Sequence, residues 1–333
     1  RKLTANDVGV GGAPELRAWM DEMDPVKLVA HLIGGVTVAE LPDDFRKFAE
    51  KAYSGTEFVL PPLPNQLFTR DSTTYLRFLA SGVPSLGYRV YRFESGTPTS
   101  LPDAAAVSTT GFGIIEHNDY QVALGSRGQI VNAVDKSPDP DVEMAGANGM
   151  NDYGTGAIQT VTAENVGPVS ATLRVDLSGP ARTVRITLYA DIDRIDIDNA
   201  IVENVSGLRT YDFHANLSGA QIRFEEIGAV ARPGLVTEGG DFLQGTRASR
   251  MTINHFVNFE SNDYNIVLSN RDAFAMQVNN STNSTFDLTG DEIKVVVMEQ
   301  ALGAATGNQG GDDLFINRFA LRGVDAPFDA AQT

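Results

Sequence analysis

The 333-residue sequence predicts a mainly β protein, a large antiparallel β-sandwich with a short helical N-terminal segment. Three observations support this. Up to about residue 80, apolar residues recur at helical spacing, and beyond it they alternate over strand-length segments bounded by Gly, Pro, Asn and Asp. Four of the six lysines precede residue 52. This shift in composition accompanies the change of period and predicts a boundary at 72–82.

The N-terminal segment has the spacing of short amphipathic helices. The first carries an apolar stripe at positions i, i+3, i+4 and i+7, formed by Leu16, Trp19, Met20 and Met23. Pro25 starts a second helical run that Gly34 ends, and a third short helix is predicted over 43–52. Core packing is the simplest interpretation of these apolar residues.

The remainder of the chain has the period of β-strands. The clearest strand patterns cover 88–93, 170–177, 183–189 and 293–298. Because such segments follow one another at short spacing with turn residues between them, they indicate an antiparallel sandwich or barrel rather than alternating strands and helices.

Composition excludes several classes of function. A net charge of −17 argues against nucleic-acid and anionic-membrane partners, which would repel the chain. No apolar run approaches the roughly 18 residues of a membrane span. The sequence contains no Cys, so it has no disulfide, thiolate zinc site or cysteine nucleophile. The lack of Cys, of a signal peptide and of a transmembrane segment favours a cytoplasmic location.

Two polar patterns are candidates for a functional site. Asn65, Phe68 and Asp71 follow three prolines at steps of three, so they either converge on one point or form a loop that enters a strand, and spacing alone favours the loop. The aspartates of 191–198 lack the spacing of a calcium loop and predict a half-buried strand with an acidic face. The four histidines lie far apart, and we predict no metal site.

Four segments along the chain carry a family resemblance: 83–88, 115–136, 167–196 and 258–268. The second contains Ile115-Glu-His-Asn-Asp-Tyr120, continuing through Gly128-Gln-Ile130 to Asp135-Lys136. From about 79 to 331 the chain resembles the C-terminal β region of family-38 glycoside hydrolases, the zinc-dependent α-mannosidases. The resemblance implies a galactose-mutarotase-like supersandwich. It also implies that the zinc and the nucleophilic Asp belong to an N-terminal barrel, which no stretch of this sequence matches.

A second resemblance covers about residues 2–75. Glu15-Leu-Arg-Ala-Trp19, Leu32-Ile-Gly-Gly-Val-Thr37 and, above all, Leu63-Pro-Asn-Gln-Leu-Phe-Thr-Arg-Asp71 are similar to part of an arginine deiminase. This resemblance implies that Asn65, Phe68 and Asp71 line an arginine pocket, with Asp71 holding the guanidinium. Deiminase chemistry needs a cysteine thiolate, which this chain lacks.

Together the resemblances predict a composite of three regions: a helical deiminase-like fragment (1–78), the terminal strands of a small β domain (79–110) and an α-mannosidase-like sandwich (111–333). We expect no catalytic residue and no cofactor in this chain, an α-mannoside as ligand and a separate catalytic barrel as partner. An arginine deiminase fragment and a stand-alone carbohydrate-binding module are the alternatives.

Overall fold

The computed structural model describes residues 64–80, 101–203, 207–261, 263–298 and 314–328. The helices predicted before residue 52 and the strand predicted over 88–93 lie outside these residues. The described residues fall almost entirely in one compact unit, which comprises Asn65–Arg77 and Pro102–Thr333. The predicted region boundaries after residues 78 and 110 remain predictions.

Twenty strands run through the described residues. In chain order they are β1 (Asn65–Arg70), β2 (Thr73–Phe78), β3 (Ala106–Ser108), β4 (Ile114–Glu116), β5 (Tyr120–Leu124), β6 (Ile130–Asp135), β7 (Val142–Glu143), β8 (Ala157–Val166), β9 (Ser170–Ser178), β10 (Arg182–Tyr189), β11 (Ile192–Ile201), β12 (Arg209–His214), β13 (Gln221–Glu226), β14 (Ala229–Ala231), β15 (Met251–Thr252), β16 (Phe256–Glu260), β17 (Asn265–Asn270), β18 (Ala275–Val278), β19 (Glu292–Met298) and β20 (Phe315–Val324). The helical element among them is a 3₁₀ turn, Val236–Glu238. Within these ranges no helix is long and apolar enough to cross a membrane.

The strands form four antiparallel sheets. The largest has nine strands in the order β14-β13-β16-β17-β20-β11-β10-β9-β8. A four-stranded sheet has the order β12-β19-β18-β15, and a five-stranded sheet runs from β3 to β7 in chain order. The hairpin β1–β2 forms the fourth sheet. This arrangement confirms the predicted mainly β, antiparallel class.

The hydrophobic core lies between the nine-stranded sheet and the two smaller sheets. Phe319 of β20 packs edge-on against Phe213 and Tyr211 of β12, with ring centroids 5.1 and 5.9 Å apart. On the other side, the Tyr264 hydroxyl donates a hydrogen bond of 2.6 Å to Asp135 at the end of β6. Buried side chains of all three sheets share one cluster, so the unit is a sandwich.

Local sequence patterns account for the central strands. The strands predicted over 170–177, 183–189 and 293–298 are confirmed as β9, β10 and β19. The acidic segment 191–198 is also confirmed as a strand. Ile195 and Ile197 of β11 are fully buried in the core, while Asp196 and Asp198 alternate with them toward the opposite face.

Residues 65–78 belong to the segment predicted to be helical, and for these residues the prediction is wrong. They form the hairpin β1–β2, because their Thr, Phe and Tyr residues favour extended backbone. Asp71 and Ser72 make the turn with φ angles of 47° and 66°, in the left-handed region that Asp tolerates better than most residues. The rest of the predicted helical segment lies outside the described residues.

Candidate functional site

The hairpin carries the three residues that the sequence singles out. Asn65 opens β1 and is exposed, Phe68 is half-buried and Asp71 lies exposed in the turn. Side chains alternate along a strand, so a step of three places Asn65 and Phe68 on opposite faces of β1. The hairpin does not direct all three side chains to one point. Their assignment to an arginine pocket remains a prediction.

Gln66 attaches the hairpin to the nine-stranded sheet. Its side chain is buried, and its Oε1 accepts hydrogen bonds from the backbone N–H groups of Ser170 at 3.0 Å and Val169 at 3.3 Å. Its Nε2 donates to Oδ1 of Asn165 at 3.0 Å. One amide therefore pairs with buried polar groups near the ends of β8 and β9, a contact that the spacing of the polar segment did not indicate.

Asp71 contacts two guanidinium groups of the sandwich. Nη2 of Arg185 donates to its two carboxylate oxygens at 3.1 and 3.3 Å, and Nη1 of Arg174 lies 3.6 Å from Oδ1. Glu164 of β8 accepts hydrogen bonds from Nε of Arg185 at 2.9 Å and from Nη1 of Arg174 at 3.2 Å. The aspartate that the deiminase resemblance assigns to a substrate guanidinium is thus paired with arginines of this chain.

Arg70 extends this network. Its Nη2 donates to Oδ2 of Asp198 at 2.8 Å, and its Nε lies 3.4 Å from Oε2 of Glu164. Burial acts to lower the pKa of Arg70, but the hydrogen bond and charge of Asp198, with the charges of Glu164 and Asp71, raise it above the usual value of an arginine. Several residues of the nine-stranded sheet contact the hairpin, and we call them the hairpin-binding face. They are Glu164, Ser170, Arg174, Arg185, Tyr189 and Asp198.

Aromatic contacts complete this face. Phe68 stacks on Tyr75 across the hairpin at 5.4 Å, and the guanidinium of Arg77 lies 4.5 Å from the Phe68 ring centroid and 5.3 Å from that of Tyr189. Burial, followed by the charge of Asp196, raises the pKa of Tyr189 to about 12, so this hydroxyl stays protonated at neutral pH. These ring contacts add to the polar contacts that hold the hairpin on the sheet.

The described residues do not fit a metal centre. No group of three or more His, Cys, Asp or Glu among them is placed to hold an ion. His214 pairs with Glu292 at 2.9 Å and His255 with Glu225 at 2.9 Å, and these pairs belong to different sheets. His31 lies outside the described residues.

A cavity of about 420 Å³ lies on the face of the nine-stranded sheet opposite the core. We call it the outer-face cavity. The polar, charged and aromatic residues that line it include Asp193, Arg194, Asn258, Asn265, Arg322 and Phe328. They come from β11, β16, β17 and β20 and from the segment after β20. None of these residues is predicted as a site residue from the sequence.

Two buried asparagines form the floor of the outer-face cavity. Nδ2 of Asn258 donates to Oδ1 of Asn265 at 2.9 Å, and Nδ2 of Asn265 donates to the backbone oxygen of Ala326. The sequence signal for them is an amide within apolar strands, as in Phe256-Val-Asn-Phe259. Such a signal is weak, because only the register of β16 and β17 brings the two amides together.

Three charged residues of the cavity, Asp193, Arg194 and Arg322, form ion pairs. Oδ2 of Asp193 accepts from Nε of Arg322 at 2.7 Å, and its Oδ1 accepts from the Tyr120 hydroxyl at 2.5 Å. Nε of Arg194 lies 2.8 Å from Oδ1 of Asp196. The site therefore combines paired charges, buried amides and an aromatic ring.

These sheets define the described part of the chain as a large antiparallel β-sandwich, and solved structures share its fold. An α-mannosidase from Enterococcus faecalis V583 superposes with a TM-score of 0.52 at 10% identity, covering 80% of this chain and 36% of the mannosidase. A protein of glycosyl hydrolase family 38 from Enterococcus faecalis gives 0.50 at 10% identity, covering 80% and 37%. At this identity the similarity establishes a common fold.

Sequence comparison finds a different relative. No profile of a known protein family matches the chain. An arginine deiminase from Mycobacterium marinum is 40% identical over 87 residues, which are 25% of this chain and 21% of the deiminase. One from Mycobacterium bovis is 39% identical over 102 residues, 30% of this chain and 25% of the deiminase. Both predicted resemblances are confirmed, each over part of the relative.

Proposed function

We propose that this chain is the β-sandwich portion of an α-mannosidase-like glycoside hydrolase and has no hydrolytic activity by itself. The observation that carries the proposal is the fold shared over 80% of this chain with an α-mannosidase of which it covers 36%. The remaining length of that protein leaves room for a separate catalytic barrel, which is the partner we propose.

Chemistry supports assigning catalysis to that barrel. A zinc-dependent hydrolase needs several His or carboxylate ligands around one ion. The described residues offer no such group, and two of their histidines, His214 and His255, each pair with a single carboxylate. Zinc does not fit these residues, and we place no catalytic step on them.

Hydrolysis of 4-nitrophenyl α-D-mannopyranoside by the purified chain, with and without added zinc, tests the proposed inactivity. We expect nitrophenol release equal to that of buffer and well below one zinc per chain in the purified protein. Turnover that follows the protein through successive purification steps would overturn the proposal.

The relation to a mannosidase has its own test. Sequencing the genomic DNA upstream of the codon for Arg1 should show an open reading frame that continues into a barrel-encoding segment. A stop codon immediately upstream, with no barrel gene adjacent, would count against it.

Arginine deiminase activity is the second candidate, favoured by the partial identity to the mycobacterial deiminases. We do not assign it, because attack on a guanidinium carbon requires a thiolate and the sequence has no Cys. Asp71 is also paired with Arg185 and Arg174. Citrulline formation from L-arginine by the homogeneous chain would reverse this conclusion.

A further inference from the structure

Asn258 carries a buried polar atom at the outer-face cavity for which the described part of the chain offers no hydrogen-bond partner. The residue is fully buried, its Nδ2 is used by Asn265, and its Oδ1 accepts no hydrogen bond from any described residue. Leaving a buried acceptor unpaired is unfavourable, because the atom gives up hydrogen bonds to water and gains none in exchange. A donor that enters the cavity would remove this cost, so Asn258 indicates a ligand rather than simple packing.

The balance of formal charges around Asn258 favours a neutral ligand. Asp191 and Asp193 balance Arg194 and Arg322, so the described residues that line the cavity have no net formal charge. Asp193 and Arg322 also pair directly, at 2.7 Å. Each of these groups can form more hydrogen bonds than one ion pair uses. Adjacent hydroxyl groups satisfy such mixed donors and acceptors without adding a charge.

The cavity also has an apolar wall. The Phe328 ring contacts Arg223, whose guanidinium is 5.4 Å from the ring centroid, and Phe256, whose ring centroid is 6.3 Å away. Pro327 and Val267 extend this wall. The volume of the outer-face cavity, about 420 Å³, falls within the range of ligand pockets, about 300–1,000 Å³.

We propose that the outer-face cavity binds a neutral monosaccharide or a similarly compact polyol. Asn258 Oδ1 accepts a ligand hydroxyl, Asp193 and Arg322 bind further hydroxyls, and Phe328 packs against the C–H face of the ring. The neutral polyol class follows from the cavity alone, whereas the choice of a mannoside as first probe rests on the proposed function.

Ligand-observed NMR on the full chain tests the proposal, with methyl α-D-mannopyranoside and methyl α-D-glucopyranoside as neutral probes and D-glucuronate and D-glucosamine as charged ones. The variants are Arg322→Met and Asn258→Leu. Arg318→Met is the matched control, because Arg318 lies on the same face of β20 and pairs with Asp272 at 2.6 Å but lies outside the cavity.

We expect a neutral probe to bind, Arg322→Met and Asn258→Leu to weaken binding at least tenfold, and Arg318→Met to leave it within twofold. Arg322 is half-exposed, so its variant remains informative even where Asn258→Leu does not fold. No binding by any neutral probe, preferred binding of a charged probe, or equal binding by wild type and Arg322→Met would overturn the site. None of these results bears on hydrolysis, whereas turnover of the aryl mannoside would overturn the proposed function and leave the cavity assignment intact.

Discussion

Nη2 of Arg185 on β10 donates a hydrogen bond of 3.1 Å to Oδ1 of Asp71, in the turn of hairpin β1–β2 and 114 residues away in sequence. Nε of the same guanidinium donates to Glu164 at 2.9 Å. Arg185 is therefore held between one exposed and one buried carboxylate. Because Glu164 is buried and Asp71 is exposed, we expect the two carboxylates to contribute unequally to the stability of the sandwich.

Glu164→Gln should destabilise the sandwich far more than Asp71→Asn. The Glu164 and Arg185 side chains are each 8% exposed, so removing this carboxylate breaks a buried ion pair and leaves the Arg185 guanidinium with the exposed Asp71 as its counter-charge, at a cost of up to about 3–5 kcal/mol. Asp71 is 65% exposed, and its loss should cost about 1 kcal/mol or less. Urea unfolding of both variants measures the difference. Equal destabilisation would contradict the described packing.

Gln66→Leu should loosen the hairpin. The change removes the acceptor for the buried N–H groups of Ser170 and Val169, at a cost of about 1–3 kcal/mol. Amide exchange across 65–77 should accelerate. The control is Leu67→Gln, since Leu67 is exposed on the opposite side of β1 and its replacement should change stability by about 0.5 kcal/mol or less. Similar exchange in the two variants would show that Gln66 does not anchor the hairpin.

The pair His214–Glu292 should make stability depend on pH. Burial acts to lower the pKa of His214, but Glu292 raises it above 6.5. This contribution is complete below pH 6.5 and is lost as the pH rises through the folded-state pKa. Burial acts to raise the pKa of Glu292, but His214 lowers it below 4.5. That contribution is present above pH 4.5 and is lost as the pH falls through the folded-state pKa.

Both contributions therefore operate between pH 4.5 and 6.5. The free energy of unfolding that His214→Gln removes should be larger at about pH 5.5 than at about pH 8.5. Urea titrations of wild type and variant at both pH values measure it. His255→Gln is the control, because His255 is 73% exposed and its pair should contribute little. A loss independent of pH in His214→Gln would refute the prediction.

Phe319→Ala should cost about 3–5 kcal/mol, because it opens a cavity where β20 packs against Phe213 and Tyr211 of the four-stranded sheet. Ile316→Ala on the same strand removes a half-exposed side chain and should cost much less. Thermal unfolding compares the two variants. If both lowered the melting temperature equally, Phe319 would not join the sheets as described.

Local sequence pattern is sufficient to predict the fold class and several of the strands. The alternation of buried and outward-facing residues can be read from neighbouring positions along the chain. For that reason the sequence predicts β9, β10, β19 and the acidic strand β11. Hairpin β1–β2 was missed because its Pro-rich approach and short strands give too little alternation to reveal a period.

The contacts between distant polar residues follow from the folded structure and not from local pattern. Gln66 reaches Ser170 across 104 residues, and Tyr120 reaches Asp193 across 73. Asn258 meets Asn265 only through the register of two strands. Residue spacing reports on one strand at a time, whereas these contacts depend on the order, register and facing of strands set by the whole core. The hairpin-binding face and the outer-face cavity are consequences of that assembly.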